Sequence, residues 1–524
     1  GSPPQSMKKA VSLSLLSGFL LALCLPRLGL CPLAWFALAP LFYVLTRRSL
    51  RESFKLGFLA GFAFHGAAFY WIYSTCRFAA VPTAIAVLAW AALASFQALA
   101  WGLAALLGRR AVDALPPKFK ALGWAVAWTA CAVVWERWTP RLPGDLLEYT
   151  QWRFLALLQI ASIAGPHFLG FVIVLVNAAI AQVWDESRRG KTTASNGMPA
   201  LAAGTAIAAG ALLFGAWTLA NRAPAAQTAR IEILQPAVDQ YQKWDERYAL
   251  DILDNFKKLL SQPRAAAPKL IVWPESALPR LVAEGEAPAE AAVWSRKTGA
   301  AQIVGAVTQR GLDYYNSVLF LGGDGGARGV YHKRELVPFG EYVPFAAWLR
   351  PWIGKLNELG GITAGQREQP LFDTPLGRAA ATICYEAVFP RWSRRDAARG
   401  ARVIVNVTND GWYKDTWGPY QHFQTNVFRA IENRVTVIRS GNTGISAVID
   451  PWGVTLAQLD LNVRGRLDAE VPVGDPFPAR SFYARHGDWF GALCLALAGL
   501  MLLKPMAIIA TIQTHGHQKP DSRR

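Results

Sequence analysis

The sequence predicts a multi-pass α-helical membrane domain of about eight helices combined with an α/β domain inserted before the last of them. Three observations carry this. The 524-residue chain is 52% hydrophobic, holds 21 tryptophans and is only 17% charged, too apolar for an ordinary soluble enzyme. Eight long uncharged runs punctuate it. Between the seventh and the eighth, apolar runs shrink to strand length and are separated by Gly, Pro and Asn.

Residues 1–6 precede Met7 and read as a cloning remnant outside the fold. The membrane domain is expected over 7–220, with seven helices on the runs 10–26, 28–46, 56–76, 78–108, 121–135, 154–184 and 192–220. An eighth helix is expected over 488–510, built on the run 489–503, followed by a cytoplasmic tail over 511–524. Most runs reach the ~20 apolar residues that cross ~30 Å of hydrocarbon. The fifth and eighth are short and must borrow flanking residues or let Lys504 snorkel toward the headgroups. The first run contains LALC, Leu21 to Cys24, but bulky Leu23 stands where a lipidation box needs a small residue, so the run is read as a retained helix.

Basic residues set the orientation. One set of alternate loops and ends carries 17 of them, including Lys8, Arg47, Arg109, Lys118, Arg188 and Lys504, against five in the other, Arg27, Arg77, Arg137, Arg141 and Arg153. By the positive-inside rule both termini face the cytoplasm and the 221–487 segment faces outward. The same residues account for the net charge of +18 without a nucleic-acid partner.

The outward segment reads as an α/β domain. Strands are expected at ARIEILQ from Ala229, KLIVWPE from Lys269, AQIVGAV from Ala301, NSVLFLG from Asn316, AAATICY from Ala379, RVIVNVT from Arg402, VTVIRS from Val435 and ISAVID from Ile445. Helices are expected at RYALDILDNFKKLLS from Arg247 and PYQHFQTNVFRAIENR from Pro419. No phosphate-cradling glycine fingerprint, paired-cysteine metal site or repeat is present in the sequence, and no metal or cofactor is expected.

Chemistry concentrates where strands end, as in other α/β sheets. Cys384 is the only cysteine between 221 and 487, so in an outward-facing domain it has no intradomain disulfide partner. It lies in ICYE, just before Tyr385 and Glu386; WPES places Glu275 after an apolar strand, and YHKRELVPFGEYVP carries Lys333 and Glu341. Each is bland alone: a strand-end carboxylate, a solvated lysine, a small buried thiol. His332 and His422 could suggest a Cys–His pair, but neither position compels it.

In order and local context, Glu275, Lys333 and Cys384 resemble the Glu–Lys–Cys triad of the carbon–nitrogen hydrolase, or nitrilase, superfamily. With the surrounding helices and the segments HKRELVPFGEYVP, GGITAG and NVTNDGWY, the chain resembles, from Met7 onward, the bacterial apolipoprotein N-acyltransferase family. The resemblance implies a nitrilase-like α-β-β-α sandwich for 221–487 and a multi-pass protein of the bacterial inner membrane. It implies acyl transfer from the sn-1 position of a phospholipid, typically phosphatidylethanolamine, through a Cys384 thioester, to the α-amino group of a diacylglyceryl-cysteine apolipoprotein. Supporting positions carried over are Glu341, Tyr385, Glu386, Trp244 and Asn316. The residue types fit: a thiol of pKa about 8.5 needs a base, here Glu275, and Lys333 with the Tyr385 N–H can stabilise an oxyanion.

Two aromatic segments suit a lipid entrance. VPFAAWLRPWIGKL from Val343 interleaves Phe345, Trp348, Trp352 and Ile353 with Arg350 and Lys355, and DGWYKDTWGPY from Asp410 supplies Trp412, Tyr413 and Trp417. His65 and His167, inside apolar runs, are expected to hydrogen-bond neighbouring helices. A transporter is disfavoured because the runs are nearly free of charge. A membrane-tethered amidase or nitrilase using the same triad is the closer alternative, and eight helices argue for a lipid substrate instead.

Overall fold

The computed structural model describes residues 6–140, 142, 144–190, 195–222, 227–342, 361–474 and 479–515. Trp348, Trp352 and the rest of the aromatic run from Val343 lie outside these residues, as do Arg141, Lys191 and residues 516–524.

The N-terminal part is helical, and the Trp489–His515 helix returns to pack against Lys120–Trp138 of it. By length and apolar composition, Thr83–Asp113, His167–Ser187 and Gly197–Ala220 can each cross a membrane. Leu50–Ala68 and Tyr70–Phe78, bent by 45°, together make a fourth. Three expected runs are not continuous helices, one being 56–76 with its bend at Phe69. Residues 28–46 form a 3-10 turn, Cys31–Leu33, then Ala34–Ala37 and Ala39–Leu45, with Pro32 and Pro40 in first-turn positions where no N–H is needed. Residues 154–184 break into Leu155–Leu158 and Ala161–Ala164 before His167–Ser187, because Gly165 turns at φ +80° and Pro166 follows. Phe78, the first residue of the next run, ends the preceding helix, the long helix of that run begins at Thr83 after Pro82, and Lys120–Trp138 extends the short fifth run at both ends.

Among the described residues, the α/β part has thirteen strands in two sheets. These are β1 Gln227–Gln235, β2 Leu270–Val272, β3 Leu281–Ala283, β4 Ala301–Arg310, β5 Asp313–Leu321, β6 Ala327–His332, β7 Phe372–Thr374, β8 Gly377–Ile383, β9 Val403–Thr408, β10 Thr436–Gly441, β11 Ser446–Ile449, β12 Thr455–Leu459 and β13 Gly465–Val473. One sheet runs β13-β1-β2-β4-β5-β6, with β3 beside β4; the other runs β12-β11-β10-β9-β8-β7. β1, β2 and β4 pair in parallel, as do β8, β9 and β10.

Strand alternation assigns the layers. Ile231, Ile233, Leu270, Val272, Ile303, Val318 and Phe320 of the first sheet pack with Ala379, Ala381, Ile383, Val405, Val407 and Ile438 of the second. The opposite face of the first sheet, with Leu234, Ile271, Trp273 and Val304, packs on the helices Ala249–Ser261 and Ala289–Thr298. The outer face of the second, with Ala380, Ile404, Val437 and Ala447, packs on Phe428 and Ile431 of the Gly418–Asn433 helix and on Leu146, Tyr149 and Leu158 of the N-terminal part. The result is an α-β-β-α sandwich. Every expected strand is present, but β3, β6, β7, β12 and β13 were not foreseen. They are short or lie at or beside sheet edges, and β12 and β13 carry polar residues and, in β13, Pro472, which blur the apolar pattern.

Candidate active site

Glu275, Lys333 and Cys384 each stand just past the end of a strand. After β2, Trp273 donates its N–H to Ile303 O at 2.8 Å, and the chain turns over β4. The turn lies so close that a Cβ on Gly305 would come within 2.2 Å of Pro274 O, so a side chain there would displace Glu275. After β6, the Lys333 N–H is fixed to Asn316 O of β5 at 2.8 Å. After β8, Cys384 takes φ +49° and opens the 3-10 turn Cys384–Val388. A left-handed backbone at a non-glycine residue costs about 1 kcal/mol or more and persists only where its surroundings impose it.

The side chains converge. Lys333, 1% exposed, places Nζ 2.8 Å from Glu341 Oε1 and 3.6 Å from Glu275 Oε1. Asn316 Nδ2 donates to Glu275 Oε1 at 2.7 Å and to Glu341 Oε1 at 2.9 Å, and the Val337 N–H donates to Glu341 Oε2 at 2.8 Å. Burial disfavours the Lys333 charge, but Glu341, Glu275 and Cys384 outweigh it and raise the ammonium above its usual range. Burial likewise opposes ionisation of Glu341, yet the Lys333 charge and the hydrogen bonds it accepts hold it below the usual carboxylate range. Burial pushes the Cys384 thiol up to about 12; the Glu275 carboxylate adds to this and Lys333 opposes it. A thiol so held stays protonated near neutrality, so its activation calls for transfer of that proton to a base in the site.

Glu386 is fully buried and joins the elbow to the lysine segment. Its Oε2 accepts from the Ile383 N–H at 2.8 Å and the Tyr331 hydroxyl at 2.6 Å, and its Oε1 from the Arg334 N–H at 2.5 Å and the Glu335 N–H at 3.2 Å. The Arg334 guanidinium bonds Asp396 Oδ2 at 2.7 Å instead, which leaves Glu386 to backbone donors and the Tyr331 hydroxyl. Tyr385 is buried with its ring edge-on to Phe389.

Trp244 is 50% exposed, while its neighbour Lys243 is buried and donates from Nζ to Glu275 O at 2.8 Å. Burial lowers the Lys243 ammonium to about 8, against the pull of Glu275 and Cys384. Sequence reasoning passed over Lys243 because a lysine beside Trp, Asp and Glu reads as solvated. It also set His422 aside. The structure brings His422 to the elbow, with Nε2 2.9 Å from Cys384 O and Nδ1 2.8 Å from Asp410 Oδ1, while Arg439 Nη2 donates to Asp410 Oδ2 at 2.7 Å. Only the pairing of apolar and polar helix positions in PYQHFQTN hinted at it. Ligand atoms of Cys384, Asp410 and His422 lie within 4.8 Å of one another, but both His422 nitrogens and both Asp410 oxygens are already engaged.

Trp412, Tyr413 and Trp417 lie against the N-terminal part. Tyr413 packs edge-on to Trp71 with centroids 4.8 Å apart, Trp417 on Tyr70 at 5.7 Å, and Trp412 on Phe78 at 6.0 Å. Arg27 and Asp415 form an ion pair across the same junction. Farther off, His167 reaches two other segments, Glu136 Oε2 at 3.0 Å and Glu148 Oε1 at 3.4 Å. Among the described residues, His65 hydrogen-bonds Gly61 O of its own helix at 2.8 Å rather than the expected neighbouring helix, which it meets through Trp101, edge-on with centroids 5.7 Å apart.

Residues 234–476 match the carbon-nitrogen hydrolase family, and residues 17–179 match the apolipoprotein N-acyltransferase N-terminal domain. The chain is 33% identical to an apolipoprotein N-acyltransferase of Geobacter metallireducens, over 93% of this chain and 94% of that protein. It is 30% identical to one of Gloeobacter violaceus, over 93% and 92%, and 32% identical to one of Caulobacter vibrioides, over 94% and 93%. Among solved structures, the C. elegans NitFhit protein aligns at 22% identity and a TM-score of 0.37, covering 48% of this chain and 62% of that one.

Proposed function

As the chain belongs to the apolipoprotein N-acyltransferase family, we propose that it carries an acyl chain on Cys384 from a membrane phospholipid to the α-amino group of a diacylated N-terminal cysteine of a lipoprotein. The observation that carries the assignment of residues is the Lys333 ammonium 3.6 Å from Glu275, beside a buried thiol on a strained elbow.

Glu275 takes the Cys384 proton as sulfur attacks the ester carbonyl of the donor, with phosphatidylethanolamine the expected lipid. Lys333 and the Tyr385 N–H stabilise the tetrahedral oxyanion, each such donor being worth ~3 kcal/mol in the transition state. The oxyanion collapses to the thioester, the C–O bond breaks, and Glu275 returns its proton to the departing lysophospholipid alkoxide. The lipoprotein amine then attacks the thioester, gives a proton to Glu275, and leaves as the amide while the proton returns to sulfur. Two half-reactions on one nucleophile give ping-pong kinetics. Glu341 and Asn316 position Lys333 and Glu275, Glu386 holds the elbow, and Trp244 lies at the margin.

In this reading 7–220 and 488–510 lie in the inner membrane, 221–487 faces the periplasm, and both termini face the cytoplasm. Trp412, Tyr413 and Trp417 border the lipid entrance. No cofactor enters the reaction as written, since ester and thioester carry the needed reactivity.

The test incubates purified protein with acyl-labelled phospholipid and no acceptor. A hydroxylamine-sensitive label on the protein, absent from Cys384→Ala, is expected; equal label on that variant refutes the nucleophile. A diacylated peptide with a free N-terminal amine should discharge the label as amide, whereas release only as free fatty acid favours a membrane-tethered hydrolase.

A further inference from the structure

We propose that His422 is a positioning residue for the oxyanion site, acting through the peptide bond that joins Cys384 to Tyr385. The proposal deepens the assignment of the Tyr385 N–H as an oxyanion donor and rests on it.

The Cys384 carbonyl can only accept, so the 2.9 Å contact from His422 Nε2 is an N–H donated to it. That carbonyl and the Tyr385 N–H belong to the same peptide unit, which is planar and trans, so the two groups point in opposite directions. Holding the carbonyl on the helix side therefore fixes the bearing of the Tyr385 N–H on the other. A donor on the carbonyl also polarises the amide and strengthens its N–H as a donor in turn. The constraint matters here because Cys384, at φ +49°, sits in a narrow, unfavourable region that the backbone leaves unless it is held.

His422 is itself held. It sits in the second turn of the buried Gly418–Asn433 helix, 2% exposed. Nδ1 meets Asp410 Oδ1 at 2.8 Å, and Asp410 is fixed by Arg439 Nη2 at 2.7 Å and by the Thr408 hydroxyl at 3.3 Å. Arg439 also donates to Asn406 Oδ1 at 2.8 Å and to Ile445 O at 3.0 Å, so β9, β10 and the turn before β11 all anchor the imidazole. Gly444 makes room for this: a Cβ there would lie 2.2 Å from Asp410 Oδ2. His422 reaches the backbone of the nucleophile rather than acting as its base; that distinguishes it from a Cys–His pair.

The experiment separates oxyanion-forming chemistry from the reactivity of the thiol. Iodoacetamide alkylates Cys384 by displacement at a saturated carbon, with no oxyanion; thioester formation from labelled phospholipid passes through one. His422→Asn, polar but too short to reach the carbonyl, and His422→Gln, which keeps an N–H within reach, are compared with the parent protein for both rates. The expected result is a loss of about 100-fold or more in thioester formation for His422→Asn, with alkylation changed at least tenfold less and His422→Gln recovering most of the loss. Unchanged thioester formation in His422→Asn overturns the proposal. So does a parallel fall in both rates, or no difference between the two variants. Failure of the parent protein to form any thioester would instead remove the acyl-transfer reading itself.

Discussion

Lys333 Nζ lies closer to Glu341, at 2.8 Å, than to Glu275, at 3.6 Å. The lysine is thereby held by a carboxylate that also accepts the Val337 N–H, leaving Glu275 the looser partner.

Glu341→Gln removes that counter-charge while keeping the shape. The Lys333 ammonium then loses the partner that offsets its burial, and thioester formation is expected to fall by about 100-fold. Glu341→Ala should in addition destabilise the fold by roughly 3–5 kcal/mol, because a buried charge is left without its partner. Single-turnover labelling and thermal unfolding in detergent check the two separately.

Asn316→Leu takes away the amide that donates to Glu275 at 2.7 Å and to Glu341 at 2.9 Å. Two carboxylates lose their shared donor, so the acylation rate should drop by 10-fold or more. Asn316→Asp adds a third negative charge and should be worse than Asn316→Leu. Equal rates for the two variants would count against the electrostatic account.

Lys243 gives a pH signature. Its ammonium is lowered from 10.5 to about 8 by burial, so between these values the folded state binds fewer protons than the unfolded one. Stability from this group is therefore fully present above 10.5 and is lost as pH falls toward 8. The span corresponds to roughly 3 kcal/mol. The difference in unfolding midpoint between Lys243→Met and the parent protein should thus shift in favour of the parent as pH rises from 8 to 10; a difference constant with pH would refute it.

Glu386→Gln replaces an acceptor-only group with one that must point an N–H at donors from Ile383, Tyr331, Arg334 or Glu335. A loss of about 2–3 kcal/mol is expected, together with loss of thioester labelling, since the same carboxylate ties Cys384 to the Lys333 segment. Thermal unfolding and labelling of the purified variant test both.

Much of this was legible in the chain. Apolar runs ending in WPES and ICYE marked β2 and β8 and put Glu275 and Cys384 at their ends, because strand alternation and turn residues are local properties. Long uncharged runs marked the membrane part for the same reason, although Pro32, Pro40 and the Gly165–Pro166 step cut two of them and a bend at Phe69 interrupts a third. Edge strands such as β13 escaped because half-exposed strands carry mixed residues.

The sequence by itself determined which residue types stand at strand ends, where the hydrophobic runs lie, and the order Glu275, Lys333, Cys384. The tertiary structure alone decided that Lys243 turns inward while Trp244 stays half exposed, that Glu386 takes backbone donors rather than an arginine, and that His422, 38 residues from Cys384, closes on its carbonyl. Those choices depend on which groups the packing of two sheets and a helix leaves without water. A buried donor or acceptor must then find its partner across the fold, and no local pattern records where that partner will be.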